Sequence, residues 1–375
     1  MNINGRFMKK FLFIFSVWIV ILFFNNTPFY ARTETQVWKI GIVYPGPHPL
    51  VDDVLNGLRS GFKEKELKEG KDILLVMKDG QGDPANFSSI SQAVIAEGAN
   101  IIVPIATPTA QAAVKENAGR RPIVFIAVTD PIGAGILTDM ERPGNNITGV
   151  SDAWPYAEQL GLLKTIMPNA KRIGVMYNPS EANSIYGIRQ IRKIVPSFKL
   201  EIVEGTISGP SELSSRAINL ITTDHVDAIY LSSDNTILGA AESVIKVGED
   251  YKIPIFSGDD GTVKRGTLAA VSIGYFEVGK LAAGLIFRVI KGENAGSIPI
   301  EIARGNDIHI NLDAASKMGI RVPEDVLKKA KKIYGTGSEA KRQIPIKYIY
   351  IFIFLAIIII ATLIIIRKNI RKDQI

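Results

Sequence analysis

Short apolar runs and amphipathic stretches alternate along the chain from about Val37 to Tyr334, and this alternation restricts the possible folds more than any other feature. The run VWKIGIVYP is followed by LVDDVLNGLRSGFKEKEL, in which apolar residues recur with helical spacing. Near-continuous Ile and Val runs between such helices are typical of parallel strands that are covered on both faces. The sequence therefore predicts the doubly wound class of α/β proteins.

The alternation starts a second time after NNITGVSDA, with KRIGVMYN as the next predicted strand. The two successive α/β units have similar sizes. Together they span roughly 300 residues, which is more than one hydrophobic core usually holds. We therefore expect two lobes.

Both ends of the chain carry apolar segments with basic neighbours. Residues 348–366 hold no charge and, at about 1.5 Å per helical residue, are long enough to cross a hydrocarbon core of about 30 Å. The sequence predicts a transmembrane helix there, preceded by a polar tether at 335–347 and followed by a basic cytoplasmic tail at 367–375. Residues 1–31 have the charged start and apolar run of a signal peptide, and both a cleaved peptide and an uncleaved anchor are left open.

The distribution of charge predicts the topology. Basic residues flank both terminal segments, which favours a cytoplasmic position for both ends and places the middle of the chain outside the cytoplasmic membrane. The formal net charge is +7, and the terminal segments account for all of it. We therefore expect contact with anionic membrane lipid and no nucleic-acid partner. The chain contains no cysteine, so it has no acceptor for a cysteine-linked lipid anchor.

Polar loops follow the predicted strands, at the sheet edge where open α/β sheets bind their ligands. Helix starts at such an edge offer free N–H groups to a carboxylate. Ser, Thr, Asp and Asn are also the ordinary N-caps of helices, so a single loop of this kind is better explained by capping than by ligand binding. Six such loops in two units indicate a cleft between lobes. The loops are YPGPHPLVDD, ATPTAQ and VTDPIGAG in the first unit, and YNPSEANS, LSSDNT and FSGDDG in the second.

The sequence offers little support for catalysis. It has no cysteine nucleophile and no glycine-rich phosphate loop, and its three histidines are far apart. The paired aspartates of GDDG are more typical of a cap and turn than of a metal site. We therefore predict a protein that is not an enzyme, with no cofactor and no metal.

Five stretches occur in a characteristic order along the chain: VTDPIGAGI, RPGNNITGVSD, YNPSEANS, YFEVGKLAAGLI and INLDAASKMGIRVPEDVL. Together they resemble the ABC-transporter substrate-binding proteins of the tryptophan/tyrosine type. The resemblance implies a type I periplasmic-binding-protein fold, in which three crossings join two Rossmann-like lobes. Lobe one would comprise residues 37–150 and 271–299, and lobe two residues 151–270 and 300–334.

The same resemblance implies an amino-acid-like ligand, often aromatic, held between closing lobes. It assigns Thr107 and Thr109 to the ligand carboxylate and Asp234 to the ammonium group, with Asp259 able to share that role. The other residues that it places around the ligand are Tyr44, Pro45, His48 and Leu50 at the side chain, Thr129 and Asp130 near the hinge, and Asn178, Glu181, Asn183 and Ser184 in lobe two.

The leading functional prediction is a membrane-tethered solute receptor that delivers its ligand to an ABC permease. The alternative is a sensory receptor that signals to a membrane partner. The terminal membrane segment departs from the pattern of the family, whose members usually end after the last helix of the binding domain. The predicted cytoplasmic tail is too short to be a signalling enzyme of its own.

Overall fold

The structure is a computed structural model that describes residues 37–336. Within this range, strands and helices alternate along most of the chain. The strands are β1 (Trp38–Tyr44), β2 (Ile73–Asp79), β3 (Ile101–Pro104), β4 (Ile123–Ile126), β5 (Ile147–Ser151), β6 (Arg172–Tyr177), β7 (Glu201–Thr206), β8 (Ala228–Leu231), β9 (Ile255–Ser257), β10 (Ala269–Ser272), β11 (Glu301–Ile302), β12 (Asp307–Asn311) and β13 (Ala330–Tyr334). The helices are α1 (Pro49–Glu64), α2 (Phe87–Ala96), α3 (Thr107–Asn117), α4 (Tyr156–Ile166), α5 (Ala182–Ile194), α6 (Leu213–Thr222), α7 (Asn235–Gly239), α8 (Ala241–Tyr251), α9 (Asp260–Arg265), α10 (Tyr275–Ile290), α11 (Leu312–Met318) and α12 (Glu324–Lys329).

The strands form two separate sheets, one in each lobe. The first sheet has the order β11-β5-β4-β3-β1-β2, and all its pairings are parallel. The second has the order β13-β12-β10-β9-β8-β6-β7, and only the pairing of β10 with β12 is antiparallel. Every residue of the central strands β3, β4 and β8 is buried, because helices cover both faces of these strands. The predicted two-lobe α/β architecture is confirmed.

The chain passes between the sheets three times, after Ser151, after Ser272 and after Ile302. These positions differ slightly from the predicted lobe boundaries. Strand β10 stays in the second sheet through Ser272, which pairs with Asp307 of β12. Residues 301–302 stay in the first sheet because they pair with β5. A strand of two residues is too short to produce a periodic pattern in the sequence, so its pairing was not predicted.

Helix α10 returns the chain to the first lobe and packs closely against α1. Two glycines permit this approach. A Cβ atom at Gly57 would collide with the carbonyl oxygen of Phe276, and one at Gly279 with the carbonyl oxygen of Val54. The contact fixes the start of α10 against α1, whose N-terminus faces the other lobe. Because the second crossing leads into α10, the contact also fixes the end of that crossing.

No helix within residues 37–336 is both long enough and apolar enough to cross a membrane. The predicted signal peptide or anchor at 1–31, the transmembrane helix at 348–366 and the tail at 367–375 lie outside the described residues. So does nearly all of the predicted tether.

Candidate functional site

The two lobes enclose a small cavity of about 20 Å³ beside the crossings, which we call the inner chamber. A hydrogen-bonding contact of 3.1 Å between the hydroxyls of Thr129 and Ser233 joins the lobes at this point. The cavity has room for little more than one water molecule, so the lobes are closed. Its polar lining residues are Thr107 and Thr129 of the first lobe, Asp152, Trp154 and Tyr275 at the crossings, and Asn183, Ser233, Asp234 and Asn235 of the second lobe.

A larger cavity of about 310 Å³, the outer chamber, adjoins the inner one. Leu50, Ala106, Asn235 and Leu238 line both cavities, so the two are parts of one cleft. The other residues that line the outer chamber are Pro45, Gly46, Pro47, His48, Val51, Gln81, Gly82, Pro210, Thr236, Gly239 and Ala240.

The start of helix α3 faces the inner chamber without a cap. No side chain accepts a hydrogen bond from its first N–H groups, and the preceding Ala106 has φ of 75° and ψ of 156°. This backbone region is nearly restricted to glycine and costs on the order of 1–3 kcal/mol for another residue. The hydroxyl of Thr107 is buried and has no hydrogen-bond partner. An uncapped helix start with a free hydroxyl is suited to an anion.

Thr109, which was predicted to bind the ligand together with Thr107, uses its hydroxyl inside the protein. That hydroxyl donates to the carbonyl oxygens of Ala106 (2.9 Å) and Ile105. A hydroxyl has one proton to donate, so it is not available to a ligand carboxylate. Thr109 lines neither chamber.

Asp152 stands at the first crossing, and its carboxylate faces the inner chamber. Its Oδ1 accepts from the Thr129 hydroxyl (2.9 Å) and its Oδ2 from the Tyr275 hydroxyl (2.9 Å), which in turn accepts from Nε1 of Trp154 (2.9 Å). Burial raises the pKa of Asp152 to about 6. A carboxylate has about four acceptor positions, so these two bonds leave capacity for a cationic ligand group.

None of the three residues Asp152, Trp154 and Tyr275 was predicted as a site residue. Asp152 lies next to the predicted boundary between the lobes at residues 150 and 151, and this position was the only available signal. Tyr275 begins α10, immediately after the second crossing. The network therefore ties two crossings together next to the cavity.

Asp234 lines the inner chamber, but its carboxylate has three donors from the protein. Oδ1 accepts from the N–H of Ile237 (2.9 Å), which makes Asp234 the N-cap of α7. Oδ2 accepts from the N–H of Asn178 (2.6 Å) and from the Ser184 hydroxyl (2.6 Å). Burial and the neighbouring Glu181 raise its pKa. Asn178 and Ser184, both predicted site residues, thus support Asp234 and do not line the chamber.

Glu181 is also occupied by the start of α7. Its two carboxylate oxygens accept from the N–H groups of Asn235 and Thr236, each at 2.9 Å, and from the side chains of the same residues. Asn183 donates to Glu181 and to the carbonyl oxygen of Ser233 (2.9 Å). The side-chain oxygen of Asn183 is buried without a partner, and this residue lines the inner chamber. Asn183 therefore offers a free acceptor to the inner chamber from lobe two.

His48 and Asp259 meet at the rim of the cleft. His48 caps α1 by accepting from the N–H of Leu50 (3.1 Å), and its Nε2 lies 3.2 Å from Arg265 and 3.9 Å from the carboxylate of Asp259. Burial, followed by the charge of Arg265, lowers the pKa of His48 to about 4. Burial, followed by the charge of Asp260, raises the pKa of Asp259 to about 7. Only His48 of this pair lines a chamber.

Of the remaining predicted residues, some line a chamber and others do not. Pro45 and Leu50 line the outer chamber, whereas Tyr44 lines neither chamber. Asp130 accepts from the N–H of Gly133 (2.9 Å) in a turn and lies away from the cavities. Within the described range, no group of His, Cys, Asp or Glu side chains is arranged to hold a metal ion.

Comparison with known proteins identifies the family. Residues 39–334 match the family of ABC transporter substrate binding proteins. The chain belongs to this family. Because the members of the family bind solutes, the prediction that the protein is not an enzyme is confirmed.

Three relatives illustrate the similarity. The chain is 34% identical to the tyrosine-binding protein of Clostridioides difficile over 292 residues, which are 77% of this chain and 84% of the relative. A conserved domain protein of Vibrio cholerae has 35% identity and a TM-score of 0.76. A domain from Streptococcus pneumonia solved in complex with L-Trp has 31% identity and a TM-score of 0.75. Both solved domains match along their whole length and cover 80% of this chain.

Proposed function

We propose that this protein binds an L-amino acid with an aromatic side chain between its lobes and supplies it to an ABC permease. The head group of the ligand would occupy the inner chamber, which would have to widen from its volume of about 20 Å³ as the lobes adjust to the ligand, and the side chain would extend into the outer chamber. The two relatives with named ligands, tyrosine in one case and L-Trp in the other, support this ligand class.

The observation that carries the proposal is the pair of groups with unused capacity in one cavity. The uncapped start of α3 with the free Thr107 hydroxyl suits a carboxylate, and the Asp152 carboxylate suits an ammonium group. Both groups line the inner chamber. An amino acid is the small molecule that brings both charges on one carbon atom.

Among residues 37–336, no lysine or arginine lines the inner chamber. The ligand carboxylate would therefore be bound by N–H groups and the helix dipole of α3, in place of a cationic side chain. The ammonium group needs a charged partner in a closed cleft, because an unpaired buried charge is costly. Asp152 provides that partner, and Asn183 offers a further acceptor through its free side-chain oxygen.

We further propose that the binding domain lies on the extracytoplasmic side and is tethered to the cytoplasmic membrane. The support is the charge-free run at 348–366 and the basic residues around both terminal segments. Tethering would raise the concentration of the receptor near a permease in the same membrane. The same features also fit a sensory receptor. Removal of residues 348–375 distinguishes the two functions: reduced uptake of the ligand by cells would indicate transport, and reduced signalling would indicate a sensory receptor.

The ligand proposal is tested by isothermal titration calorimetry of the full-length chain with the proteinogenic amino acids. We expect L-tryptophan, L-tyrosine or L-phenylalanine to bind most tightly, and indole-3-propionate, which lacks the ammonium group, to bind much more weakly than L-tryptophan. Absence of heat from all three aromatic amino acids, with the fold intact, would overturn the proposal.

A further inference from the structure

The outer chamber is large for a pocket that would receive only an aromatic side chain. Its volume of about 310 Å³ is itself at the lower end of the range of about 300–1,000 Å³ that is typical of whole small-molecule sites. The inner chamber contributes only about 20 Å³ in this closed arrangement. Most of the free space in the cleft therefore lies beyond the proposed position of the head group.

The chemistry of the outer chamber selects against a polar occupant. Proline, leucine, valine and alanine form much of its wall. Three of its polar lining residues already have partners in the protein. Nδ1 of His48 accepts from the N–H of Leu50, and the side chains of Asn235 and Thr236 donate to Glu181. An apolar group next to these three residues would leave their side chains with the partners that they already have.

The two chambers are connected between the lobes. Leu50 of α1 and Leu238 of α7 line both cavities, so a side chain that leaves the inner chamber passes these two residues. Gly239 also lines the outer chamber, and a Cβ atom placed there would meet no other atom within 4 Å. The wall next to Leu238 is therefore open and does not close over the end of a single ring.

We propose that the outer chamber accepts α-amino acids whose side chains extend well beyond one aromatic ring system, with an apolar group at the far end. This inference rests on the proposed function, because it takes the head group to be in the inner chamber. It goes further by assigning the distal space to a part of the ligand that neither tyrosine nor tryptophan possesses.

The test is a titration of the full-length chain with L-tyrosine, L-tryptophan and O-benzyl-L-tyrosine. We expect O-benzyl-L-tyrosine to bind within about threefold of the tighter parent amino acid, because the chamber holds the added ring without repacking. Loss of its binding by tenfold or more relative to that parent, while the parent still binds, would overturn the inference and leave the proposed function intact. No binding by any of the three would overturn both.

A bulky substitution locates the added ring. The variant Gly239→Trp should weaken binding of O-benzyl-L-tyrosine by at least about tenfold more than it weakens binding of the parent amino acid, a difference the size of an overpacking penalty. The matched control is Gly284→Trp on α10, where a Cβ atom also meets nothing within 4 Å but which lines neither chamber. Equal effects of Gly239→Trp on both ligands, or no effect on either, would contradict the assigned position.

Discussion

Two helix starts face each other across the cleft, and they use their polar groups in opposite ways. In lobe two, the first N–H groups of α7 are all taken by the protein's own carboxylates, those of Glu181 and Asp234. In lobe one, α3 begins without a side-chain cap, and the hydroxyl of Thr107 is buried without a partner. Two polar loops that each follow a strand thus differ in outcome: ATPTAQ begins a helix whose start is free to bind an anion, and SSDNTI begins one whose N–H groups are satisfied.

The difference shows which polar residues of a cleft are available to a ligand. A carboxylate that already accepts several hydrogen bonds contributes to the stability of its lobe, since removing it leaves buried N–H groups unsatisfied. A group with unused donors or acceptors contributes to binding. By this criterion, we expect the start of α3 and the crossing at Asp152 to bind the charged groups of the ligand, and the carboxylates of Glu181 and Asp234 to stabilise lobe two.

The largest effect on binding is expected from Asp152→Asn. Removing one partner of a buried charge pair costs about 2–5 kcal/mol, so the Kd for L-tryptophan should rise at least about thirtyfold. Calorimetry measures the change. The control is Asp130→Asn, which alters a turn away from both chambers and should leave the Kd unchanged. An unaltered Kd for Asp152→Asn would move the ammonium site to lobe two.

The variant Glu181→Gln tests whether the Glu181 carboxylate stabilises lobe two by accepting hydrogen bonds from the start of α7. The amide places an NH₂ group where a carboxylate oxygen accepts bonds from α7, so unfolding free energy should fall by about 1–3 kcal/mol. Urea denaturation provides the measurement. The control Glu201→Gln removes only an exposed ion pair with Arg172 and should cost about 0–1 kcal/mol. If Glu181→Gln were as stable as the parent but bound ligand poorly, Glu181 would be a ligand contact.

The pH dependence of affinity is the third expectation. The ligand ammonium favours ionised Asp152, so ligand binding lowers a pKa that is about 6 without ligand. Affinity for L-tryptophan should be level above about pH 7 and should fall by up to about tenfold per unit below about pH 6, because binding then requires release of the proton. The variant Asp152→Asn should lack this fall. A decline of equal steepness in the variant would assign the titration to another group, such as Asp234 or Asp259.

The smallest effect concerns the pair of threonines on α3. Thr107→Val removes one neutral donor from a carboxylate that keeps the helix N–H groups, so a loss of about 0.5–1.5 kcal/mol in binding is expected. Thr109→Val should not change the Kd, because its hydroxyl serves the carbonyl oxygen of Ala106. Equal losses of affinity in the two variants would show that the hydroxyls of Thr107 and Thr109 do not differ in their availability to the ligand.

Much of the fold and part of the site could be predicted from the sequence. Burial of strands such as β3 and β4 follows from their continuous Ile and Val runs, and the predicted loops after strands contain Thr107, Thr129, Asn183 and Asp234, which line the inner chamber. These signals are local. A polar residue between a strand and a helix occurs at the cleft edge whenever the sheet is parallel.

The rest depends on contacts between distant parts of the chain. Asp152, Trp154 and Tyr275 form one network because two crossings run side by side, which no local pattern encodes. Conversely, the sequence motif containing Glu181 does not show that its carboxylate is occupied by α7, more than fifty positions away. Whether a polar group is free or occupied is decided only when the lobe has folded.

The contact between Asp152 and the ligand ammonium group is tested by a double cycle that combines one variant with one altered ligand. The Kd values of the parent protein and of Asp152→Asn are measured by calorimetry for L-tryptophan and for indole-3-propionate, which lacks the ammonium group. We predict that Asp152→Asn weakens L-tryptophan at least about thirtyfold but changes indole-3-propionate less than about threefold, since the lost charge pair exists only with the amine. An equal loss of affinity for both ligands would show that Asp152 shapes the hinge without binding the ammonium group, and would contradict the central claim.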